Sequence, residues 1–171
     1  WDMWGGPAKA GATLARIVEN VDVLVGNEED LQKGLGIEGQ DVESKSKLDP
    51  SAFYAVIEKA VKKFPNVKAV ATTLREVISV NRHMWGMVVW GDGDFHVAEP
   101  REIGVLDRIG GGDGSVGGML YGILQGWPAE KCMQFGWATG ALAATSVNDY
   151  GAPADEDQVW TIWKGNARVQ R

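Results

Sequence analysis

Two rhythms of apolar residues run through the chain. Residues 50–64, "PSAFYAVIEKAVKKF", place Phe53, Val56, Ile57, Ala60, Val61 and Phe64 on one face at helical spacing. Residues 8–19 do the same more weakly with Leu14, Ile17 and Val18. Shorter apolar runs read as strands: "VDVLVGN" (21–27), "NVKAVATTLRE" (66–76) and "IGVLD" (103–107). "WGMVVWGDGDFHVAE" (85–99) reads as a hairpin folded around Gly91-Asp92-Gly93-Asp94. "NEEDLQKGLG" (27–36) starts a helix, with Asn27 as N-cap, acids in its first turn and Gly34 or Gly36 as stop. Residues 38–50 are polar and without period, hence a surface loop. Helices follow over 114–126 and 128–147, with Pro128 suited to the first turn of the second. A short acid-led helix stops before Gly165. Strands alternating with helices predict an α/β fold, a mostly parallel sheet with helices on both faces.

With 171 residues the chain can bury one sizeable core, and its 44% hydrophobic and 23% charged residues are an ordinary globular balance. The net charge of −6 and the absence of a Lys/Arg-rich run argue against nucleic acid as a partner. No apolar run has membrane-spanning length and no signal peptide is visible, so no membrane partner is expected. The single cysteine, Cys132, cannot form an internal disulfide, which fits a reducing, cytoplasmic setting and a buried apolar role. His83 and His96 lack partners at metal-ligand spacing. Trp85, Trp90 and Trp137 read as core, whereas Trp160 and Trp163 either pack the last helix or border a site. The start at Trp1, in a loop-like Trp/Gly segment, suggests a fragment whose N-terminal part is missing.

The chemistry concentrates in "VLDRIGGGDGSVGG" (105–118), which holds six glycines and two aspartates. Three consecutive glycines are costly to order. Between a strand and a helix they leave room for a ligand, and their N–H groups with the helix N-terminus can hold an anion. The segment is no P-loop, since G-x-x-x-x-G-K-[ST] is absent. Gly112, Gly114 and Gly117 match G-x-G-x-x-G, but residues 131–147 lack the acid a dinucleotide site needs, and Asp113 would repel a pyrophosphate. Asp113 itself allows two readings: a cap that balances the helix dipole, or a base that takes a hydroxyl proton beside an anion hole during phosphoryl transfer. Gly114, Gly118 and Gly122, then Gly136, Gly140 and Ala144, recur at helical spacing, which suits close helix packing, room for a nucleotide, or both.

"DRIGGGDGSVGGMLYGIL" resembles the C-terminal signature of the ribokinase/PfkB family of carbohydrate kinases. "VDVLVGNEEDLQKGLGI" is similar to that family's strand and N-x-x-E helix, "AVATTLRE" to the strand that meets the nucleotide, and "FGWATGALAATSVNDYGAP" to the late helix beside the adenine pocket. "NEED", "TTLRE" and "DRIGGGD" together look most like the 2-keto-3-deoxygluconate kinase branch. The resemblance covers the whole chain and implies the C-terminal portion of a ribokinase-like fold, with the N-terminal sugar-binding half and lid absent.

The resemblance implies roles. Asp113 matches the catalytic base, and Gly110, Gly111 and Gly112 match the anion hole for the ATP γ-phosphate. Thr73 and Arg75 fall where the nucleotide-contacting loop begins. Asn27 and Asp30 match positions linked to Mg²⁺ and phosphate, and Asp107 a monovalent-cation site. The implied reaction is ATP-dependent phosphorylation of a sugar or sugar acid, foremost 2-keto-3-deoxygluconate to its 6-phosphate, by a full-length enzyme whose lid commonly forms a dimer contact. The isolated chain is expected to be inactive. The alternatives are a kinase of another sugar or nucleoside, and a non-catalytic nucleotide-binding or interaction module. Two departures stand out. Asp30 replaces the usual Glu, and Gly114-Ser115 replaces the common Ser/Ala-Phe, which is expected to loosen the helix start.

Overall fold

A computed structural model describes residues 2–26, 30–37, 49–147, 153 and 155–165. After a short 3₁₀ turn at Asp2–Trp4 come α1 (Pro7–Val18), β1 (Val23–Val25), a π-helical turn (Asp30–Gly34), α2 (Ser51–Lys63), β2 (Ala69–Ser79), β3 (Arg82–Gly91), β4 (Asp94–Gly104), α3 (Gly111–Leu124), α4 (Ala129–Ala144) and α5 (Glu156–Trp163).

The apolar stripe of α2 is buried as its spacing requires: Phe53, Val56, Ile57, Ala60 and Phe64 are all inside. Each large side chain so buried contributes about 1.5–3 kcal/mol. The helix ends at Phe64, just before Pro65, and Lys63 in its last turn donates to the Leu35 carbonyl at 2.8 Å. The segment expected to be a helix from Asn27 is a single π-turn in its described part, and Gly36, at φ 61°, ends it. Asn27 and most of the expected 38–50 loop lie outside the described residues.

The sheet runs β1-β2-β3-β4. It is mixed among the described strands, whereas the sequence suggested a mostly parallel one. β1 pairs β2 parallel, and β2, β3 and β4 are successive antiparallel partners. Tight turns leave no other option, because a parallel partner needs a crossover of a dozen or more residues. The β3–β4 turn is the expected one: Asp92 and Gly93 both take positive φ (55° and 83°), as a two-residue hairpin turn requires. Asp92 also accepts a hydrogen bond from the Ala129 amide at 2.7 Å, so the hairpin tip anchors the start of α4.

No separate strand exists at 103–107. Ile103 and Gly104 are the end of β4, paired with His83 and Arg82. The expected hairpin stopped at Glu99, but β4 runs on through Pro100, which sits at a bulge, where its missing N–H costs nothing. Gly86 faces it, and a Cβ there would lie 3.0 Å from the proline ring.

Alternation along the strands divides the core into two layers. Val70, Leu74 and Val88 join α2 and the π-turn on one face. Ala69, Ala71, Trp85, Met87 and Val89 meet α3, α4 and α5 on the other. Helices therefore cover both faces, as expected. Trp85 and Trp137 are buried, Trp90 is half-buried, and Trp160 and Trp163 pack into the second layer. Cys132 is free and buried in that layer, and burial, with the nearby Asp92 charge, pushes its thiol up. Among the described residues no helix is long and apolar enough to cross a membrane.

Candidate active site

The glycine-rich stretch forms the start of α3. Asp107 Oδ1 accepts from the Ile109 amide at 2.9 Å, and the amides of Leu106 and Asp107 donate to the Ala144 carbonyl at 2.9 and 3.3 Å. These bonds fasten the approach to the end of α4. Gly110 is the N-cap, at φ 82° and ψ −13°, a left-handed conformation that only glycine adopts freely. The helix begins at Gly111, three residues earlier than the sequence suggested, and the Gly114 amide closes its first turn on the Gly110 carbonyl at 2.7 Å.

An α-helix leaves its first N–H groups without partners. Among the described residues no side chain caps α3, so the amides of Gly111, Gly112 and Asp113 face outward along the positive end of the helix dipole. Asp113 is exposed in that first turn, and its carboxylate makes no hydrogen bond among the described residues. The capping reading of Asp113 therefore has no bond to rest on.

The glycines divide into two groups. Gly114, Gly118, Gly136 and Gly140 are packing positions. A Cβ on Gly118 would lie 2.0 Å from Thr139 Oγ1, one on Gly136 2.8 Å from the Ser115 carbonyl, and one on Gly140 2.0 Å from Ser115 Oγ. They let α3 and α4 approach backbone to backbone. Gly112 and Gly117 are different: a Cβ on either would meet nothing within 4 Å. Ser115 is fully buried against Gly140, and its hydroxyl has no partner among the described residues. The Gly114-Ser115 departure therefore does not loosen the helix start, because the small pair fits the glycine notch of α4.

Thr73 and Arg75 lie on the sheet face that carries this turn. They pair with Met87 and Trp85, both part of the α3/α4 layer, and directly opposed residues share a face. Asp30 sits at the carboxyl end of β1, so close to Gly26 that a Cβ there would be 3.0 Å from it. Asn27 lies outside the described residues. Sequence reasoning missed His83, Arg108 and Trp85. His83 is buried; burial, then the charges of Arg75 and Arg108, push its imidazole below the ordinary value. Arg75 and Arg108 thus place positive potential around the His83 imidazole. Arg108 stood inside the quoted motif, but only the fold brings it near Arg75.

A cavity of about 470 Å³ opens beside Asp113. It runs along α3 past Gly117 and Tyr121 to Phe135 on α4 and to Asp155 and Glu156 at the start of α5. The Tyr121 hydroxyl donates to Glu156, which holds the phenol above its ordinary pKa. Among the described residues the lining has three carboxylates and no basic side chain.

The pfkB family carbohydrate kinase profile matches residues 4–156, most of the chain and all of this site. The chain belongs to the pfkB family of carbohydrate kinases. Among solved structures it resembles a 2-dehydro-3-deoxygluconokinase from Thermotoga maritima, with 31% identity, a TM-score of 0.82, and 93% of this chain covered against 47% of that one. A putative 2-keto-3-deoxygluconate kinase from Enterococcus faecalis matches at 26% identity and TM-score 0.76, over 97% of this chain and 48% of the other. Among curated relatives, the 2-dehydro-3-deoxygalactonokinase of Haloferax volcanii is 24% identical over 99% of this chain and 46% of its own length. The acarbose 7(IV)-phosphotransferase of an Actinoplanes strain is 35% identical over 44% of this chain and 29% of its own length. The chain spans less than half the length of each of these relatives. The pfkB fold seen here is the ribokinase-like α/β arrangement, with the glycine turn where a strand hands over to a helix.

Proposed function

We propose that this chain supplies the phosphate-holding and proton-accepting part of an ATP-dependent kinase that phosphorylates a hydroxyl of a sugar or sugar acid. The observation that carries the reading is the open start of α3: outward amides with no cap, and an unbonded carboxylate in the same turn. Phosphoryl transfer needs little covalent chemistry from the protein, only positioning and charge stabilisation. The amides of Gly111, Gly112 and Asp113 take the terminal phosphate oxygens, and the cap at Gly110 aims them. The bare Gly112 leaves room for close approach. Asp113 receives the proton of the attacking hydroxyl. Thr73 and Arg75 face the polyphosphate from β2, with Arg108 adding charge from the turn.

The residues present fit ATP and one divalent ion. Mg²⁺ is held by one or two carboxylates with the phosphates completing its shell, so Asp30, with Asn27, suits it; bound there it neutralises charge on the phosphates. One oxygen of Asp107 shapes the turn. Its other oxygen is the one we assign to a monovalent cation; the Escherichia coli phosphofructokinase-2, which shares the fold at 17% identity, has been solved in complex with potassium.

2-Keto-3-deoxygluconate, giving its 6-phosphate, is the acceptor we favour, supported by the two kinase structures of that description. The cavity beside Asp113 offers its carboxylate no cation among the described residues, so that contact would come from the part of the relatives this chain does not span. A reducing cytoplasmic setting suits the free thiol of Cys132. The test is ATP-dependent product formation by a polypeptide joining this chain to the rest of the family fold. The panel is sugar acids, neutral sugars and nucleosides. Phosphorylation of a 2-keto-3-deoxy acid at its terminal hydroxyl supports the reading. Turnover of only a nucleoside or a neutral sugar overturns the acceptor, and none with any acceptor overturns the kinase.

A further inference from the structure

Behind the glycine turn, β3 and α4 are tied by a reciprocal pair of indole hydrogen bonds. Trp85 Nε1 donates to the Trp137 carbonyl at 3.2 Å, and Trp137 Nε1 donates to the Trp85 carbonyl at 2.8 Å. Both residues are buried, at 4% and 3% exposure, where an indole N–H must find a partner. Turning either ring would therefore strand a donor, which is costly in a dry core.

The far edge of the Trp85 ring reaches the turn itself. Its Cη2 would lie 3.4 Å from a Cβ on Gly111, and its Cζ2 2.8 Å from one on Gly140. The ring thus fills the notch shared by the first residue of α3 and the glycine of α4 that faces it. On the other side, the Arg101 guanidinium lies 4.0 Å from the Trp137 ring and 4.1 Å from the Trp163 ring, and Nη1 donates to the Trp163 carbonyl at 2.6 Å. Arg101, Trp137 and Trp85 form a continuous packed chain from the end of α5 to Gly111.

We propose that Trp85 is a positioning residue for phosphate recognition: its ring sets the tilt of the first turn of α3, and so where the Gly111, Gly112 and Asp113 amides point. It touches no ligand. The inference rests on the kinase reading, because it matters only if those amides take the terminal phosphates. Its signature is selective: the terminal phosphates should feel a tilted turn, and the nucleoside end should not.

The experiment measures AMP, ADP and ATP affinity for this chain by titration calorimetry, with circular dichroism to confirm folding. The wild type should bind ATP more tightly than AMP. Trp85→Leu should cut that preference about tenfold, since small misplacements of such groups are costly, while AMP affinity stays within about threefold. Trp85→Phe withdraws the far ring edge and the indole N–H given to the Trp137 carbonyl but keeps an aromatic ring in place; it should lower the preference too, and it is the variant to read if Trp85→Leu does not fold. Trp137→Phe leaves the Trp85 ring seated and should lower the preference least. Equal loss of AMP and ATP affinity, or an unchanged preference in the folded Trp85 variants, overturns the positioning role. A wild-type chain that binds ATP no more tightly than AMP overturns the kinase reading, and the positioning role with it.

Discussion

Helices α3 and α5 both begin at the rim of the same cavity, and they begin in opposite ways. At α5 the aspartate stands one residue ahead of the helix: Asp155 Oδ1 accepts from the Gln158 amide at 2.9 Å, and the end is closed. At α3 the aspartate stands inside the first turn, behind a left-handed glycine, and no side chain among the described residues closes the end. Each start carries an aspartate, and the two differ in what that carboxylate is engaged with. A cap satisfies the helix's own donors. An unbonded carboxylate beside open donors leaves both free for something else. The starts also differ in support: α5 is fastened by its own side chain, whereas α3 rests on α4 through Gly140 and on the Trp85 ring.

That contrast can be broken at several points. The largest effect is expected from Gly140→Ala. Its Cβ would meet Ser115 Oγ at 2.0 Å and the Gly111 carbonyl and Trp85 ring at 2.8 Å. Overpacking of this kind costs about 3 kcal/mol or more, read by urea unfolding. A near-neutral result would mean that α3 is not seated on α4 as described. Next, Asp155→Ala should remove a true cap and cost about 1 kcal/mol. Asp113→Ala should cost about half that or less, since only its favourable position near the helix dipole is lost. Equal costs would erase the distinction between the two aspartates. The smallest effect is expected from Gly112→Ala, where nothing lies within 4 Å. It should stabilise the fold by about 0.5 kcal/mol through reduced chain entropy, yet weaken ATP binding. A variant with unchanged ATP affinity would show that the bare backbone there serves no ligand.

Much of this was legible from the chain. The stripe of α2 needs only local periodicity, and the Asp92-Gly93 turn only local conformational preference. The glycine turn and Asp113 stood out because three adjacent glycines are expensive unless something uses them. What was not legible depends on distant partners. The early start of α3 defies the low helix propensity of glycine, and its cause, the fit of Ser115 and Gly111 against Gly140, lies on another helix. The expected hairpin stopped at Glu99, because the bulge that carries the strand on through Pro100 is made with Gly86 on the neighbouring strand. Trp85 reads as an ordinary core residue, since nothing near it in the chain announces that its ring reaches the turn. The sheet turned out mixed because the polar end of "TTLRE" continues as strand to Ser79 and doubles back. The packing role of the small residues became separable from room for a ligand only when each glycine could be tested for space.

The account turns on Asp113 as a base rather than a cap, and one measurement bears on it directly. In a polypeptide that joins this chain to the rest of the family fold and phosphorylates a sugar acid, Asp113→Asn keeps the shape and removes the proton acceptor. Turnover should fall about 10²–10⁴-fold, with ATP affinity and the unfolding midpoint nearly unchanged. Turnover that survives the substitution would contradict it.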